Sequence, residues 1–354
     1  MWSPGAVRRR IRWGAAAVAA GLVAAACGSD AGGGGLTAIG AGLQGPSGLH
    51  ASVYAQGLTH ASGFAYDDQG RLWVATAAAQ DDGTDGVYVV AAPGAAPVRV
   101  ISDVHTPLGL LWLGGSLYVA SAGRVDVESG FDGTRFTSSR TIVTLPAGTG
   151  EVNGLALLAD GRLAMGISAP CDHCVPTLPY SASVVTFRPD GSDLQVEASG
   201  IRAPVGLAVF PSTGALLVTM NQRDDLGAAT PGDWLGVVRS GQEWGFPYCY
   251  GQAHADAACA SAPSPLGVLD PHAAVSGVAV VTGQLGPAVG TAALVAEWTK
   301  GEVVRVGLSA DGTHATGVAP FVTGLVNPEP VLTMPTGAIL VGDWHTGIVY
   351  ELTV

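Results

Sequence analysis

Residues 202–251 read RAPVGLAVFPSTGALLVTMNQRDDLGAATPGDWLGVVRSGQEWGFPYCYG. An apolar run, Val205–Phe210, meets a turn carrying Pro211 and Gly214, and a second apolar run, Leu216–Met220, follows. Two short buried strands joined by a hairpin give this pattern. A polar segment, Asn221–Asp225, leads into a long loop that closes on Trp244, Phe246, Tyr248 and Tyr250, an aromatic content at odds with a disordered linker.

The same signature recurs on both sides of this stretch. An apolar run, a glycine-bearing turn and a second apolar run occur at Gly63–Thr76, Gly109–Ser121, Gly154–Ser168, Gly206–Asn221, Gly277–Trp298 and Pro330–Trp344. The opening glycines of the first five are 46, 45, 52 and 71 residues apart. A period near 45 residues that holds only strands and turns predicts propeller blades, each burying its faces against its neighbours. The expectation is an all-β, six-bladed β-propeller over residues 46–354, the long aromatic loop accounting for the widest interval. Strand Ala51–Gly57 is expected to pair with the C-terminal strand, because an open ring would leave two bare edges.

Composition agrees. The chain has 354 residues, 48% hydrophobic and 12% charged, with Gly 52 and Pro 22, which favours one turn-rich β domain over helices. The first 26 residues read as an export signal: Arg8, Arg9, Arg10 and Arg12 precede the apolar run Trp13–Val23 and the small residues Ala24–Ala26. Cys27, followed by a flexible segment through residue 45, resembles a bacterial lipoprotein junction, so a lipid anchor on the outer face of a membrane is expected, as the only membrane contact. The four arginines are the leader's only charged residues, with no acid before Cys27, so the net charge of −12 becomes about −16 beyond it. Such a domain repels nucleic acid and anionic lipid.

Beyond Cys27 four cysteines remain, and an oxidising setting permits three pairings among them. The local one, Cys171–Cys174 with Cys249–Cys259, is favoured because each bridge closes a short loop. A zinc site of two CxxC pairs is the rival, and the spacing of Cys249 and Cys259 argues against it.

The residues ahead of each inner strand converge on one end of a propeller channel. Here they are His60, His105, Glu151 with Asn153, Arg202, His272, and Asn327 with Glu329. Polar residues in loops are ordinary, so the weight rests on their convergence. Lys300, in Glu297–Gly301, is the single lysine of the chain.

Three segments, Arg202–Leu207, Arg223–Gly227 and Phe246–Gly251, together with the Lys300–Gly301 turn, resemble the PQQ-dependent soluble sugar dehydrogenases, especially their sorbosone dehydrogenase-like branch. That resemblance implies a quinone cofactor (PQQ) with calcium, and a small sugar or alcohol as substrate of a monomeric enzyme. The quinone has three carboxylates, which Arg202, Arg223 and Lys300 would meet, with Trp298 and Asn327 beside them. Asp224 and Asp225 are the candidate calcium ligands.

The sequence departs from the family at several positions. Gly150 stands where the family has its catalytic histidine, Ala203 where the glucose-oxidising branch has asparagine, and Asn327 where an arginine is common. Glu151 is then the candidate base, if burial raises its pKa. Two other readings fit the same fold. One is a calcium-dependent lactonase using Glu151, Asn153 and Glu329 as oxygen ligands. The other is a propeller that binds a glycan or protein without catalysis.

Overall fold

The computed structural model describes residues 35–80, 83–250 and 259–354. The leader, Cys27 and Gly251 lie outside them. Six sheets, antiparallel except for one outer pair, stand around one axis, and their innermost strands are Ala61–Tyr66, Gly109–Leu113, Val152–Leu157, Pro204–Val209, Val275–Thr282 and Pro328–Thr333. Each inner strand packs against the next, and the last packs against the first, so the ring is closed. This is the expected six-bladed β-propeller. Among the described residues, helical geometry is confined to short 3-10 turns such as Gly227–Ala229.

The second strands explain why the sequence reads as continuous apolar runs. Leu72–Thr76, Leu163–Ile167, Leu216–Met220 and Ile339–Asp343 are buried along their whole length, since both faces of a blade are covered by neighbouring blades. The outermost strands face solvent and lose that character, as Val98–Ile101 does.

The glycines that open the repeats have one shared function in packing. A Cβ on Gly63, Gly109, Gly154, Gly206 or Gly277 would meet the backbone carbonyl of Leu108, Asn153, Val205, Ser276 or Glu329, at 3.2, 2.5, 2.8, 2.2 and 2.4 Å respectively. Each glycine thus faces the residue just ahead of the equivalent position in the next blade, and its missing side chain lets adjacent inner strands approach. In the sixth blade Pro330 takes this place. Five of the six inner strands have a bulge here, which turns the strand toward the channel. Gly109–Leu113 pairs without one.

Ring closure is as expected. His50–Ala55 pairs antiparallel with Ile348–Thr353 and completes the sixth blade from both parts of the chain. The segment before it departs from expectation. Residues 37–45, read as the end of a flexible linker, form a hairpin of Thr37–Gly40 with Leu43–Gly45 that extends the fifth blade through Gln44 and Thr323. Ile39 and Leu43 fix it there, since both are buried in the core shared by the last two blades.

The widest repeat interval is also resolved. Gly267–Val268 supplies the fourth strand of blade four, while Gln242–Glu243 pairs in parallel with the edge of blade three. None of Trp244, Phe246, Tyr248 and Tyr250 lines the channel. Trp244 stacks on Trp234 at 4.4 Å in the core between blades three and four, and Tyr250 lies over the Arg223 guanidinium at 4.6 Å. Both local disulfides, Cys171–Cys174 and Cys249–Cys259, are formed.

Candidate functional site

The inner strands enclose a channel of about 840 Å³, and its polar end is built by a repeating backbone device. The N–H following each second strand donates to a carbonyl just ahead of the inner strand. The pairs are Ala77 with His60, Ala122 with His105, Ser168 with Glu151, Asn221 with Ala203, Trp298 with Ala274 and Trp344 with Asn327. His60, His105, Glu151 and Asn327 thus occupy equivalent rim positions. Arg202 and His272 sit slightly outside that register.

Apart from Trp298, already expected beside the cofactor, the opposite members of these pairs were not anticipated, although each stands at or next to the end of a sequence repeat. Trp344 and Trp298 line the channel and meet edge to face at 5.6 Å, and the His60 ring packs on Trp344 at 4.2 Å. Trp344 Nε1 donates to the Ala77 carbonyl at 2.9 Å, and Asn327 Nδ2 donates to the Trp298 carbonyl at 3.0 Å. Together these form an aromatic wall on one side of the mouth. Asn221 also lines the channel, and its buried Oδ1 has no donor.

Two residues deeper, or three in the second blade, Ser62, Leu108, Asn153, Val205, Ser276 and Glu329 form a ring, and the carbonyls of the last five face the glycines. Glu329 is its only charged member. Burial, with the Glu151 charge adding to it, pushes the Glu329 carboxyl up to about 8. The surface it retains opens into the channel, so it is enclosed by protein without being fully covered. At neutral pH it is a carboxylic acid, a hydrogen-bond donor beside the exposed Glu151. Asn153 is buried and donates from Nδ2 to Ser168 Oγ at 2.9 Å.

Gly150 has φ +129, and a Cβ there would lie 1.9 Å from the Ser168 carbonyl oxygen. A histidine at 150 is therefore sterically excluded without rebuilding the backbone. Glu151 lines the channel from the adjacent position but is exposed, so the burial on which its candidacy as base was conditioned is missing.

The three expected cofactor cations are all on this face, and each has an acidic partner. Arg202 donates from Nη2 to Asp172 Oδ1 at 2.7 Å and from Nε to the Asp172 carbonyl at 2.9 Å. Arg223 makes two 2.6 Å bonds to Asp225, and its side chain is only 8% exposed. Lys300 Nζ lies 3.5 Å from Asp270 Oδ2. Asp172, inside the Cys171–Cys174 loop, also accepts the N–H groups of Asp224 and Asp225, both at 2.9 Å, and so joins blade three to the 223–225 loop. Nothing in the sequence marks it except its place in the disulfide loop.

The expected calcium ligands are also engaged. Asp225 is held below its ordinary pKa, first by the hydrogen bonds from Arg223. Asp224 Oδ1 is 2.8 Å from His272 Nδ1, while His272 Nε2 faces the Gly227 carbonyl at 2.8 Å. With oxygen at both nitrogens the imidazole favours its doubly protonated form, and its pKa is raised, first by the Gly227 bond and then by Asp224.

No protein-family model matches the chain, and no curated protein does. Solved structures do match. The chain is similar to a Trichoderma reesei carbohydrate-active enzyme of family AA12, with TM-score 0.73 and 15% identity over 90% of this chain and 99% of that one. It is also similar to the holo form of the pyranose dehydrogenase PQQ domain from Coprinopsis cinerea, with TM-score 0.72 and 17% identity over 88% and 97%. The chain has the fold of the soluble sugar dehydrogenases. The PQQ-bound aldose sugar dehydrogenase of Streptomyces coelicolor matches this propeller with TM-score 0.70 and 19% identity over 87% of this chain and 99% of its own. These structures share the fold that the resemblance implied.

Proposed function

We propose that the propeller is an exported, Cys27-anchored sugar or alcohol dehydrogenase-like protein that takes PQQ and calcium at the polar end of its channel. The observation that carries this reading is the gathering of Arg202, Arg223 and Lys300 on the face that also bears the Trp298–Trp344 wall and the donorless Asn221 Oδ1. Cations for carboxylates, an aromatic edge for a flat ring and an open acceptor for a hydroxyl fit the cofactor and a polyol in kind. When bound, PQQ supplies the acceptor for the hydride of an alcohol carbon.

The chain's own residues supply the rest. Glu151, at the base position allowed by the backbone, takes the proton of the substrate hydroxyl on its carboxylate. Glu329, neutral at pH 7, donates a hydrogen bond to an oxygen that gains charge. Arg202 and Lys300 would exchange Asp172 and Asp270 for the cofactor's carboxylates, as Arg223 would exchange Asp225. Asp224 and Asp225 offer calcium oxygen ligands in competition with His272 and Arg223.

The acidic partners of all three cations also favour a second reading, a propeller that binds a glycan without the quinone. Calcium and PQQ added to purified full-length protein decide between them. A shifted quinone spectrum with sugar-dependent dye reduction, lost in Glu151→Gln while the spectrum is retained, supports the dehydrogenase. No quinone binding refutes it. Lys300→Met should weaken quinone binding by about 10- to 150-fold, the loss of one charge-assisted contact. Lactone hydrolysis abolished by Asn153→Ala, and indifferent to Lys300→Met, would instead assign the channel to a hydrolase.

A further inference from the structure

We propose that Asp270, Glu297 and Glu302 form a site for a calcium-like divalent cation at the junction of blades four and five, outside the channel. One oxygen from each carboxylate lies within 4.8 Å of the other two. Glu297 ends strand Thr291–Glu297, Glu302 begins strand Glu302–Leu308, and the two are directly opposed in the ladder. Like charges at opposed positions destabilise a sheet unless something lies between them.

The second observation is the state of Glu297. It is 1% exposed; Oε1 accepts only a 3.3 Å bond from the Asp270 N–H, and Oε2 is buried without a donor. A shielded carboxylate oxygen with no partner is costly, and Asp270 and Glu302 each bring a carboxylate oxygen within 4.8 Å of an oxygen of the same side chain. Lys300 is the ammonium paired with the cluster, through Asp270, and its side chain is 35% exposed. One lysine against three carboxylates leaves the group negative. Three carboxylates with neither thiolate nor imidazole select a hard cation that accepts an irregular set of oxygens and completes its shell with water. The site would hold the Glu297–Glu302 turn, which carries both Trp298 and Lys300. It requires no quinone.

Terbium tests this directly in the full-length protein, because Trp298, next to Glu297, can sensitise its emission. Saturable emission that calcium displaces, with a calcium-dependent rise in melting temperature, is expected. Glu297→Gln should weaken binding by about tenfold or more, and Glu302→Gln, at a partly exposed position, should weaken it with an unchanged circular dichroism spectrum. Lys300→Met should tighten binding by about fivefold, because it removes a competing charge. Absence of saturable binding overturns the proposal, as does binding unchanged in Glu302→Gln or weakened by Lys300→Met. Binding lost in Asp224→Asn or Glu151→Gln, but kept in Glu297→Gln, would place the ion elsewhere and overturn it too.

Discussion

Replacing Gly206 with alanine tests whether the inner-strand glycines exist for blade contact. The new Cβ would lie 2.2 Å from the Ser276 carbonyl oxygen, 3.0 Å from Thr219 Oγ1 and 3.0 Å from Val278 N. Carbon and oxygen need roughly 3.3 Å, so blades four and five must separate locally by about 1 Å. Two buried bonds cross this point, Gly206 N to Thr219 Oγ1 at 2.8 Å and Thr219 Oγ1 to the Ser276 carbonyl at 2.7 Å. Overpacking costs about 1–3 kcal/mol and a weakened buried hydrogen bond about 1 kcal/mol, so the total expected loss is about 2–4 kcal/mol. At Gly63 the same substitution meets the Leu108 oxygen at 3.2 Å and the Ala75 Cβ at 3.5 Å, contacts relieved by a few tenths of an ångström. Alanine also restricts the unfolded chain by about 0.4–1 kcal/mol, so Gly63→Ala should be close to neutral. Melting temperatures of the series should fall in the order Gly63, Gly154, Gly109, Gly277, Gly206, following 3.2, 2.8, 2.5, 2.4 and 2.2 Å. Equal losses across the series, or a neutral Gly206→Ala, would refute the reasoning.

Asp172→Asn should free Arg202 and slacken the 223–225 loop. At this partly exposed site the cost is about 1–2 kcal/mol, read as a melting-temperature drop of a few degrees, and under the dehydrogenase reading quinone affinity should rise, not fall. Glu329 carries a carboxyl raised to about 8 in the folded state, so the folded protein keeps a proton that the unfolded chain releases near pH 4–5. Its contribution is constant below that range and costs stability as pH rises toward 8, by an amount on the order of 2–4 kcal/mol; Glu329→Gln should flatten this slope in urea titrations at pH 5 and 8. A wild-type slope equal to that of Glu329→Gln would show an ordinary carboxyl. Removing the Cys249–Cys259 bridge by paired serine substitution should cost about 2–3 kcal/mol, and peptide mapping of exported protein should find both cysteines oxidised.

The ring was readable because its strands are short, apolar and punctuated by turn residues, and because the same glycine recurs wherever two inner strands must touch. Gly63, Gly109, Gly154, Gly206 and Gly277 reveal the repeat for the reason that makes them necessary. The hairpin at 37–45 was read as linker because its glycines dominate the local pattern, while Ile39 and Leu43 acquire their role only against Phe321 and Leu294 of the fifth blade. The mouth was legible in outline: His60, His105, Glu151 and Asn327 do take equivalent places. The partners of the cations were not, since Arg202 and Asp172 are separated by 30 residues and meet only when two loops of different blades come together. Charge composition gives no hint of which acid neutralises which base.

The composite sixth blade sets how this protein would respond to mechanical load. His50 faces Thr353 at one end of the closing ladder and Ala55 faces Val349 at the other, so tension applied upstream of His50 and at Thr353 pulls both strands from the same end. Hydrogen bonds loaded this way yield one after another, as in peeling, instead of sharing the force along the strand. The hairpin of 37–45 lies in series ahead of that seam, docked on the fifth blade by Gln44 and by the buried Ile39 and Leu43. A pull from the amino-terminal side therefore reaches this clasp first, and the ring is strained only after the clasp has let go.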